Sequence, residues 1–267
     1  MSKPHWLALL CLPNSPDDGA VALGWWALQF TPRVAILEEA VVLELSSSLR
    51  LFGGLRALPR RIQTEGLPMG LSACAWAPNS LAALALARNG VVNGLQKPVS
   101  ELLDALPLQA LSAVQAQAPM LARLGCRCLG DVRALPRAAL ARRFGDALLL
   151  AMDQAYGDQA QVHRWLQAPE LFEARLELPF RVDHAPALLH YAQHLLRQMC
   201  AWLAARHAGL KRFELMWAFD AMRARDCGSS GSLSIGTVDT TRDFTHLSRL
   251  LAEHLAQTLL PAPVSDL

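Results

Sequence analysis

The stretch from Thr31 to Gly54, TPRVAILEEAVVLELSSSLRLFGG, decides how the rest of the chain is interpreted. Its centre, from Val41 to Leu45, is β-branched and aliphatic around the single carboxylate of Glu44, and three serines follow where a turn is expected. This pattern predicts a buried central strand with one embedded acid. Glu38 and Glu39 stand side by side where that strand begins, and carboxylates are the oxygen ligands that Mg²⁺ prefers. The sequence therefore raises the question of whether this strand holds metal.

The composition describes a folded chain with substantial cores. The chain has 267 residues, 52% of them hydrophobic, and a mean hydropathy of +0.21, which allows two or three small domains. No apolar run reaches the roughly 18 residues that a membrane span needs. The apolar run from Trp6 to Leu12 lacks the length and the cleavage pattern of a signal peptide. These features predict no membrane association and a cytoplasmic location.

The cysteines give no indication of a metal site. They are scattered at positions 11, 74, 126, 128, 200 and 227, and no two of them form a CxxC pair. Structural zinc requires two such pairs, or one pair with histidines at defined spacing. The sequence therefore predicts small buried thiols, with no metal and no cofactor.

Positive charge is concentrated in one segment, although the net charge is only +2. Between residues 123 and 143 the acid Asp131 is outnumbered by six arginines, namely Arg123, Arg127, Arg133, Arg137, Arg142 and Arg143. Such a patch is typical of a phosphate-binding module, and a solvated helix face is the alternative. A helix that ends at Gly125 and another that begins near Asp131 would also point backbone N–H groups outward, towards a DNA phosphate.

The order of elements predicts an α+β fold in three parts. Residues 1–97 alternate strands and helices, which predicts a partial α/β layer with a mixed sheet. Residues 98–168 carry no strand pattern and are expected to form short helices. Residues 169–267 predict a ferredoxin-like βαββα unit, opened by an alternating strand from Phe172 to Phe180. Its last strand is expected to be missing or shortened, because Pro261 to Leu267 is short and interrupted by proline.

Three motifs together resemble the Y-family translesion DNA polymerases and, within them, the ImuB branch, the polymerase-like subunit of a bacterial inducible mutagenesis cassette. They are QFTPRVAILEEAVVLELSSSLRLFGG, GLSACAWAPNSLAALALARNGVVNG and RLGCRCLGDVRALPRAALARRFGD. The resemblance runs with gaps from about Trp6 to Pro261. It implies a reduced palm-like domain at 1–97, a helical thumb-like domain at 98–168 and a little-finger-like domain at 169–267.

The same resemblance implies that two parts of the family are missing, the fingers segment and the C-terminal tail. Only Pro13 to Phe30 separates the first strand from the segment that begins at Thr31, where the family places its fingers. An internally shortened family member and a gene model that joins two distant pieces both remain open.

The resemblance also implies that catalysis has been lost. Active members bind two Mg²⁺ through acids at the positions of Ala8 and Leu10, and through an Asp-Glu pair that aligns with Glu39 and Ala40. Where active members carry lysines at a helix start that faces the triphosphate, this chain has Ser80 and further neutral residues. One remaining carboxylate cannot hold two divalent ions. The prediction is a degenerate metal site, with no catalytic residue and no nucleotidyl transfer.

What remains predicted is binding to DNA and to proteins. The residues expected to contact DNA phosphates, with little sequence preference, are Arg123, Arg127, Arg133, Arg137, Arg142, Arg143, Arg175, Lys211 and Arg212. The resemblance implies a RecA-like partner, an error-prone replicative-type polymerase and the sliding clamp, bound mostly by segments beyond the little finger. The stretch from Ser48 to Phe52, SLRLF, looks like a clamp-binding box, but it lacks the leading glutamine and is expected to lie in the sheet core.

Three hypotheses follow from the sequence. The first is a non-catalytic DNA-binding and scaffolding subunit of DNA repair, translesion synthesis and induced mutagenesis. The second is a residual DNA polymerase, and the third is a protein-interaction module without DNA affinity. The residue replacements favour the first.

Overall fold

The computed structural model describes residues 4–12, 19–220 and 228–267. The chain divides into two compact units. The first contains the described residues up to Gly24 together with Phe30–Leu166, and the second contains Trp25–Gln29 and Gln167–Leu267. Each unit combines helices with a four-stranded sheet, so the fold is α+β, as the sequence predicts. The division into three domains stays a prediction.

The sheet of the first unit is built around the strand that the sequence singles out. Its strands are β1 (Trp6–Cys11), β2 (Val34–Leu37), β3 (Ala40–Glu44) and β4 (Leu71–Ala77). Their order is β2-β3-β1-β4, and every neighbouring pair is antiparallel, so the predicted mixed sheet is wrong. The two-residue connection between β2 and β3 permits only antiparallel neighbours. All residues of β3 are buried, which confirms the predicted central strand.

The helices up to residue 166 are short. They are α1 (Gly19–Ala27), α2 (Gly54–Gly66), α3 (Ser80–Arg88), α4 (Val99–Asp104), α5 (Ser112–Gln115), α6 (Ala118–Arg123), α7 (Leu129–Ala134), α8 (Arg137–Phe144) and α9 (Asp146–Tyr156). Helix α3 is buried from Ser80 to Ala87, because it packs on β1, β3 and β4 and also on α4 and α9. A helix covered on several sides needs no polar face, which explains its alanine- and leucine-rich sequence.

One hydrophobic core runs through the first unit. It begins at Ala8 and Val42 in the sheet, continues through Leu84 in α3, and reaches Leu121 and Leu140 among the helices that follow. The sheet and the helices of residues 99–156 therefore pack into the same core. This packing fixes the position of the helices relative to the sheet.

The second unit is a four-stranded antiparallel sheet with two helices. Its elements are β5 (Glu177–Val182), α10 (Ala185–Ala205), β6 (Leu210–Phe219), β7 (Ser230–Thr241), α11 (Phe244–Leu255) and β8 (Val264–Asp266). The strand order is β5-β8-β6-β7. The unit is therefore βαββαβ, with a closing strand of only three residues. Of the two expected alternatives, a missing or a shortened last strand, the structure shows the shortened one, because an antiparallel pairing can begin directly after a proline.

The first strand of the second unit differs from its prediction. It begins at Glu177 and not at Phe172, and Phe180, the last residue of the predicted alternation, is 64% exposed. The pairing between β5 and β8 changes register between Glu177 and Val182. Such an irregularity breaks the two-residue alternation on which the prediction relied.

The stretch from Ser48 to Phe52 does not lie in the sheet. Leu49–Phe52 form a 3-10 helix, in which Leu51 is 81% exposed. The expectation of a core segment is wrong here, because the serines after β3 end the strand before this stretch begins.

None of the described helices combines the length and the apolar character that a membrane crossing demands.

Candidate functional site

The turn between β2 and β3 carries the two adjacent carboxylates, Glu38 and Glu39. Leu37 pairs with Ala40, so these two residues alone form the connection. Glu38 has a φ of +54°, in the left-handed region that favours glycine. A side chain held there needs compensating contacts. The carboxylate of Glu38 has two of them, because it accepts hydrogen bonds from the Ser112 hydroxyl and from the guanidinium of Arg88.

Arg88, in the last turn of α3, binds both carboxylates of this turn. Its Nε and Nη2 each lie 2.7 Å from an oxygen of Glu39, and Nη2 also lies 2.5 Å from Oε2 of Glu38. Its Nη1 donates to the carbonyl oxygen of Ala110 at 3.0 Å. The hydrogen bond from Arg88 holds the pKa of Glu39 below its ordinary value of 4.5. Both carboxylates are therefore bound by one cation that belongs to the protein.

The positions that the family resemblance assigns to metal ligands lie together on the sheet. Leu10 pairs with Ala40 across β1 and β3, and Ala40 directly follows Glu39. Ala8 pairs with Val42 two residues further along. Ala8 and Ala40 are both 0% exposed and present only methyl groups to the core. Within the part of the chain that the structure describes, no group of three or more His, Cys, Asp or Glu side chains is arranged to hold a metal ion.

The start of α3 is covered by a distant part of the same unit. The hydroxyl of Ser80 donates to Oε1 of Gln161 at 2.7 Å and lies 2.9 Å from Nε2 of His163. The ring of His163 is 4.8 Å from that of Trp6, which stacks on Trp165 at 6.2 Å. Ser80 is buried beneath this cluster. Sequence reasoning missed this cover, because nothing local to residues 161–165 points to α3.

Asn79 caps the same helix and ties it to α9. Its Oδ1 accepts from the N–H of Ala82 at 2.7 Å, and its Nδ2 donates to the carbonyl oxygen of Ala155 at 2.8 Å. The backbone N–H of Ala82 at this helix start is therefore already bonded.

Glu44, the embedded acid of the central strand, has a local role. Its Oε1 accepts from the N–H of Ser46 at 2.9 Å, and its Oε2 lies 3.2 Å from Nη1 of Arg33. A buried carboxylate needs partners of this kind. The geometry assigns this acid to the end of the strand, where it fixes the following turn.

The arginines of residues 123–143 are all exposed, but they differ in their partners. Arg137 forms a bidentate ion pair with Asp153, at 2.6 and 2.7 Å. Arg133 lies 3.5 Å from Asp104, with its guanidinium 4.4 Å from the ring centre of Tyr156. Among the described residues, no acid forms an ion pair with the remaining four, Arg123, Arg127, Arg142 and Arg143.

Asp131 occupies the helix start that the sequence suggested for a phosphate. Its Oδ2 accepts from the backbone N–H groups of Arg127 at 2.7 Å and of Cys128 at 3.1 Å. The expectation that these N–H groups point freely outward is therefore wrong, because a carboxylate of the same turn already binds them. Those backbone bonds also lower the pKa of Asp131.

The predicted basic residues of the second unit also differ from one another. Arg175 pairs with Asp266 at 2.8 Å, and Arg181 pairs with Asp220. Lys211 and Arg212 are exposed at the start of β6 and form no ion pair with a described acid. Two further arginines of the sequence, Arg223 and Arg225, lie outside the described residues, as does Cys227.

Comparisons with known proteins identify two proteins that are similar to this chain in sequence. No protein-family model matches it. Two proteins called ImuB, from two strains of Caulobacter vibrioides, are each 32% identical to it over 250 residues. The match covers 91% of this chain and 53% of each relative, so the chain spans about half the length of the curated relatives it matches.

Distant likenesses to solved structures accompany this match. An insertion ternary complex of Dbh DNA polymerase is 15% identical, with a TM-score of 0.45, over 94% of this chain and 73% of that one. A DinB family error prone DNA polymerase from Sulfolobus solfataricus is also 15% identical, with a TM-score of 0.45, over 94% and 76%. The identification rests on the sequence match: at 32% identity over 91% of its length, the chain is a homologue of the ImuB proteins.

Proposed function

We propose that the chain is a non-catalytic, polymerase-like subunit that binds DNA and scaffolds other proteins in DNA repair, translesion synthesis and damage-induced mutagenesis. Its homology to ImuB and its resemblance to Y-family polymerases support the setting. The observation that carries the non-catalytic part is the binding of Glu38 and Glu39 by Arg88, beside positions where ligand acids are replaced by alkyl groups.

In this proposal, the chain lacks the carboxylate ligands that two metal ions would need. Phosphoryl transfer by a two-metal mechanism needs several carboxylate oxygens around both ions. Ala8 and Ala40 offer methyl groups, and Leu10 offers an alkyl side chain. A divalent ion at Glu39 would have to displace the guanidinium of Arg88, which already makes two 2.7 Å contacts with that carboxylate. Binding of metal there would therefore cost an existing ion pair.

The triphosphate side supports the same proposal. The helix start that resembles the family's lysine-bearing segment offers Ser80, whose hydroxyl is already bonded to Gln161 and close to His163. A triphosphate needs cations and free donors at close range. Here the donor is used and the space over it is taken by a histidine and two tryptophans of the same unit.

The DNA-binding part of the proposal rests on four arginines of the first unit. Arg123, Arg127, Arg142 and Arg143 are exposed and lack an acid partner in the described chain. Guanidinium groups free of internal ion pairs are available to phosphate oxygens. Arg133, Arg137 and Arg175 remain in the proposed interface, although each of them must share its charge with an aspartate.

The scaffolding part of the proposal follows from the resemblance alone. The proposed partners are a RecA-like protein, an error-prone replicative-type polymerase and the sliding clamp. A subunit that binds DNA without extending it would hold the other proteins of such an assembly close to the DNA and would not catalyse a reaction itself.

A titration of labelled primer-template DNA, followed by fluorescence anisotropy at two salt concentrations, tests this proposal. Release of counterions from about four neutralised phosphates predicts that the affinity falls roughly 100-fold between about 50 and 200 mM salt. Single-stranded and mismatched DNA of the same length should bind within a few-fold, because phosphate contacts carry no sequence information.

The outcomes separate the three hypotheses. Salt-dependent binding without primer extension supports the proposed subunit. An absent or salt-independent signal contradicts its DNA-binding half and favours an interaction module. Extension of the primer in the presence of Mg²⁺ or Mn²⁺ contradicts its non-catalytic half.

A further inference from the structure

The first unit carries a second group of arginines, apart from those of residues 123–143. Arg56 and Arg60 lie in α2, and Arg50 lies in the 3-10 helix that packs against the start of α2. All three are exposed. Among the described residues, no acid forms an ion pair with any of them. Their charge is therefore available to an external anion.

The fourth arginine of this stretch, Arg61, is already engaged. Its Nε lies 2.8 Å from Oε1 of Glu65, the acid of the same helix. Its guanidinium also lies 5.5 and 5.4 Å from the ring centres of Phe30 and Phe52. These contacts fix Arg61 on the flank of α2 and leave the outer face to Arg56 and Arg60.

The outer face of α2 is a row of polar side chains. Arg56 and Arg60 are one turn apart, and Gln63 and Thr64 continue the row on the next turn. All four side chains are exposed. From its first to its last member the row extends roughly 12 Å along the helix, about the length of three nucleotides of one DNA strand. Its spacing and its donors therefore suit consecutive phosphates.

The exposed leucines of this region lie at the two ends of the row. Leu51 and Leu55 are at its start, and Leu67 follows the end of α2. A protein interface has an apolar centre surrounded by a polar rim. Here the arginines form the centre and the apolar side chains the margin, which favours a phosphate backbone over a protein segment.

The sheet separates two sides of the first unit. Val42 points to the side where it shares a core with α3 and with Leu140 of α8, one of the helices of residues 123–143. Because neighbouring strand residues point to opposite faces, Val41 points to the other side. There it contacts Gly24, on which a methyl group would lie 3.9 Å from both methyl groups of Val41.

Helix α2 belongs to this other side. Phe30, which follows α1 in the chain, packs edge-on against Phe52 at 5.4 Å, and Arg61 of α2 covers both rings. Leu58 and Ile62, the buried stripe of α2, are 0% exposed and, among the described residues, are not part of the core that α3 shares. The two groups of arginines therefore lie on opposite faces of one packed unit. A short duplex cannot reach both, because DNA bends smoothly only over about 150 base pairs.

We propose that this surface, which we call the α2 arginine face (Arg50, Arg56, Arg60, Gln63 and Thr64), binds the phosphate backbone of a second DNA segment. The proposal rests on the proposed function for the first segment, which is bound by the arginines of residues 123–143. One chain then holds two DNA segments on opposite sides of its first sheet, without sequence preference at either.

The experiment uses the whole chain and a blunt duplex of about 12 base pairs, which is too short to bend around the unit. At low salt and saturating duplex, sedimentation measures the mass of the complex, and we expect one chain with two duplexes. A mixture of donor-labelled and acceptor-labelled duplexes should show energy transfer. The transfer should vanish when the chain is in large excess, because each duplex then occupies a chain of its own.

Paired substitutions separate the two sites. Arg56→Ala with Arg60→Ala should weaken binding of one duplex about 10-fold or more, because two phosphate contacts are lost, and should remove the energy transfer. Arg142→Ala with Arg143→Ala should weaken the other duplex. The matched control, Arg56→Lys with Arg60→Lys, keeps the charge and should keep both duplexes. These side chains are exposed, and an unchanged thermal unfolding transition shows that each variant folds.

The outcomes distinguish this inference from the proposed function. A single duplex per chain that only Arg142→Ala with Arg143→Ala weakens overturns the inference and leaves the proposed function intact. A single duplex that only Arg56→Ala with Arg60→Ala weakens supports the α2 arginine face and contradicts the first site. The absence of any bound duplex overturns both.

Three further results would also overturn the inference. One is a second duplex that Arg56→Ala with Arg60→Ala does not weaken, since it lies elsewhere. Another is a complex of two chains with two duplexes, in which the chains and not the α2 arginine face join the DNA. The third is an oligoglutamate peptide that binds at Arg56 and Arg60 more tightly than the duplex, which would assign the face to an acidic protein segment.

Discussion

Arg88 and Glu39 form a bidentate ion pair, in which Nε and Nη2 each lie 2.7 Å from a carboxylate oxygen. The same guanidinium also holds Glu38 and the carbonyl oxygen of Ala110. One side chain thus joins the turn of the β2–β3 hairpin to helix α3 and to the helical part of the first unit. It places a fixed monovalent cation at the carboxylate of Glu39, which the family resemblance relates to metal binding.

Removal of this cation should destabilise the first unit. Arg88→Ala leaves Glu38 in its left-handed conformation without a counter-charge, and we expect a loss of about 1–2 kcal/mol in unfolding free energy, since the partners are partly solvated. Arg249→Ala is the control, because Arg249 pairs with Glu253 at 3.9 Å across an exposed helix face. That change should cost no more than about 0.5 kcal/mol. Urea unfolding measures both, and equal losses would contradict the role given to Arg88.

The ion pair should also appear in the pH dependence of stability. The pKa of Glu39 is lowered in the folded chain by its hydrogen bond with Arg88, so its contribution is present above the unfolded value near 4.5 and is lost as pH falls through the folded value. The difference in unfolding free energy between the wild type and Glu39→Gln should therefore be largest at pH 7 and shrink below about pH 4. In the Arg88→Ala background the same difference should be small at every pH. A difference that persists unchanged at low pH would show that the side-chain charge is not responsible.

Asn79, the cap of α3, should stabilise the fold through two separate hydrogen bonds. Asn79→Ala removes the acceptor for Ala82 and the donor to Ala155, and should cost about 1–2 kcal/mol. Asn79→Asp keeps the acceptor and places a negative charge at the helix start, so it should cost less. Thermal unfolding ranks the two variants, and an aspartate that destabilises as much as the alanine would assign the effect to the bond with Ala155 alone.

The arginines without acid partners should dominate DNA binding. Arg142→Ala with Arg143→Ala should lower the slope of log affinity against log salt by about 2, because two phosphate contacts are lost. Arg137→Ala is the matched control on the same helix, since its charge is already engaged by Asp153 at 2.6 Å. It should change the slope by well under 1. Anisotropy titrations provide both slopes, and a larger effect of Arg137→Ala would contradict the ranking.

The local patterns of the sequence predict much of the fold. The strand predicted at Val41 to Leu45 is found at Ala40–Glu44, and the helix predicted at Ser80 to Arg88 has those bounds. Each of these depends on residues a few positions apart, which a single sequence displays. The sequence left open whether the closing strand β8 is missing or only shortened, because its three residues pair with β5 and β6, which are distant in the sequence.

The candidate site was less predictable, because its contacts join distant parts of the chain. Arg88 is 49 residues from Glu39, and His163 is 83 residues from Ser80. No local pattern marks an arginine at the end of a helix as the partner of a hairpin turn. The family resemblance implies which acids and lysines are replaced, but only the three-dimensional structure shows that Arg88 binds the carboxylates of Glu38 and Glu39.

A primer-extension assay, run in the same sample as a measurement of DNA anisotropy, tests most directly the central claim that the chain binds DNA without extending it. With labelled primer-template, nucleotides and Mg²⁺ or Mn²⁺, we expect the anisotropy to rise to saturation while the primer keeps its length. The result that would contradict this account is a lengthened primer whose formation is abolished by Glu39→Ala, because the carboxylate bound to Arg88 would then be acting as a metal ligand.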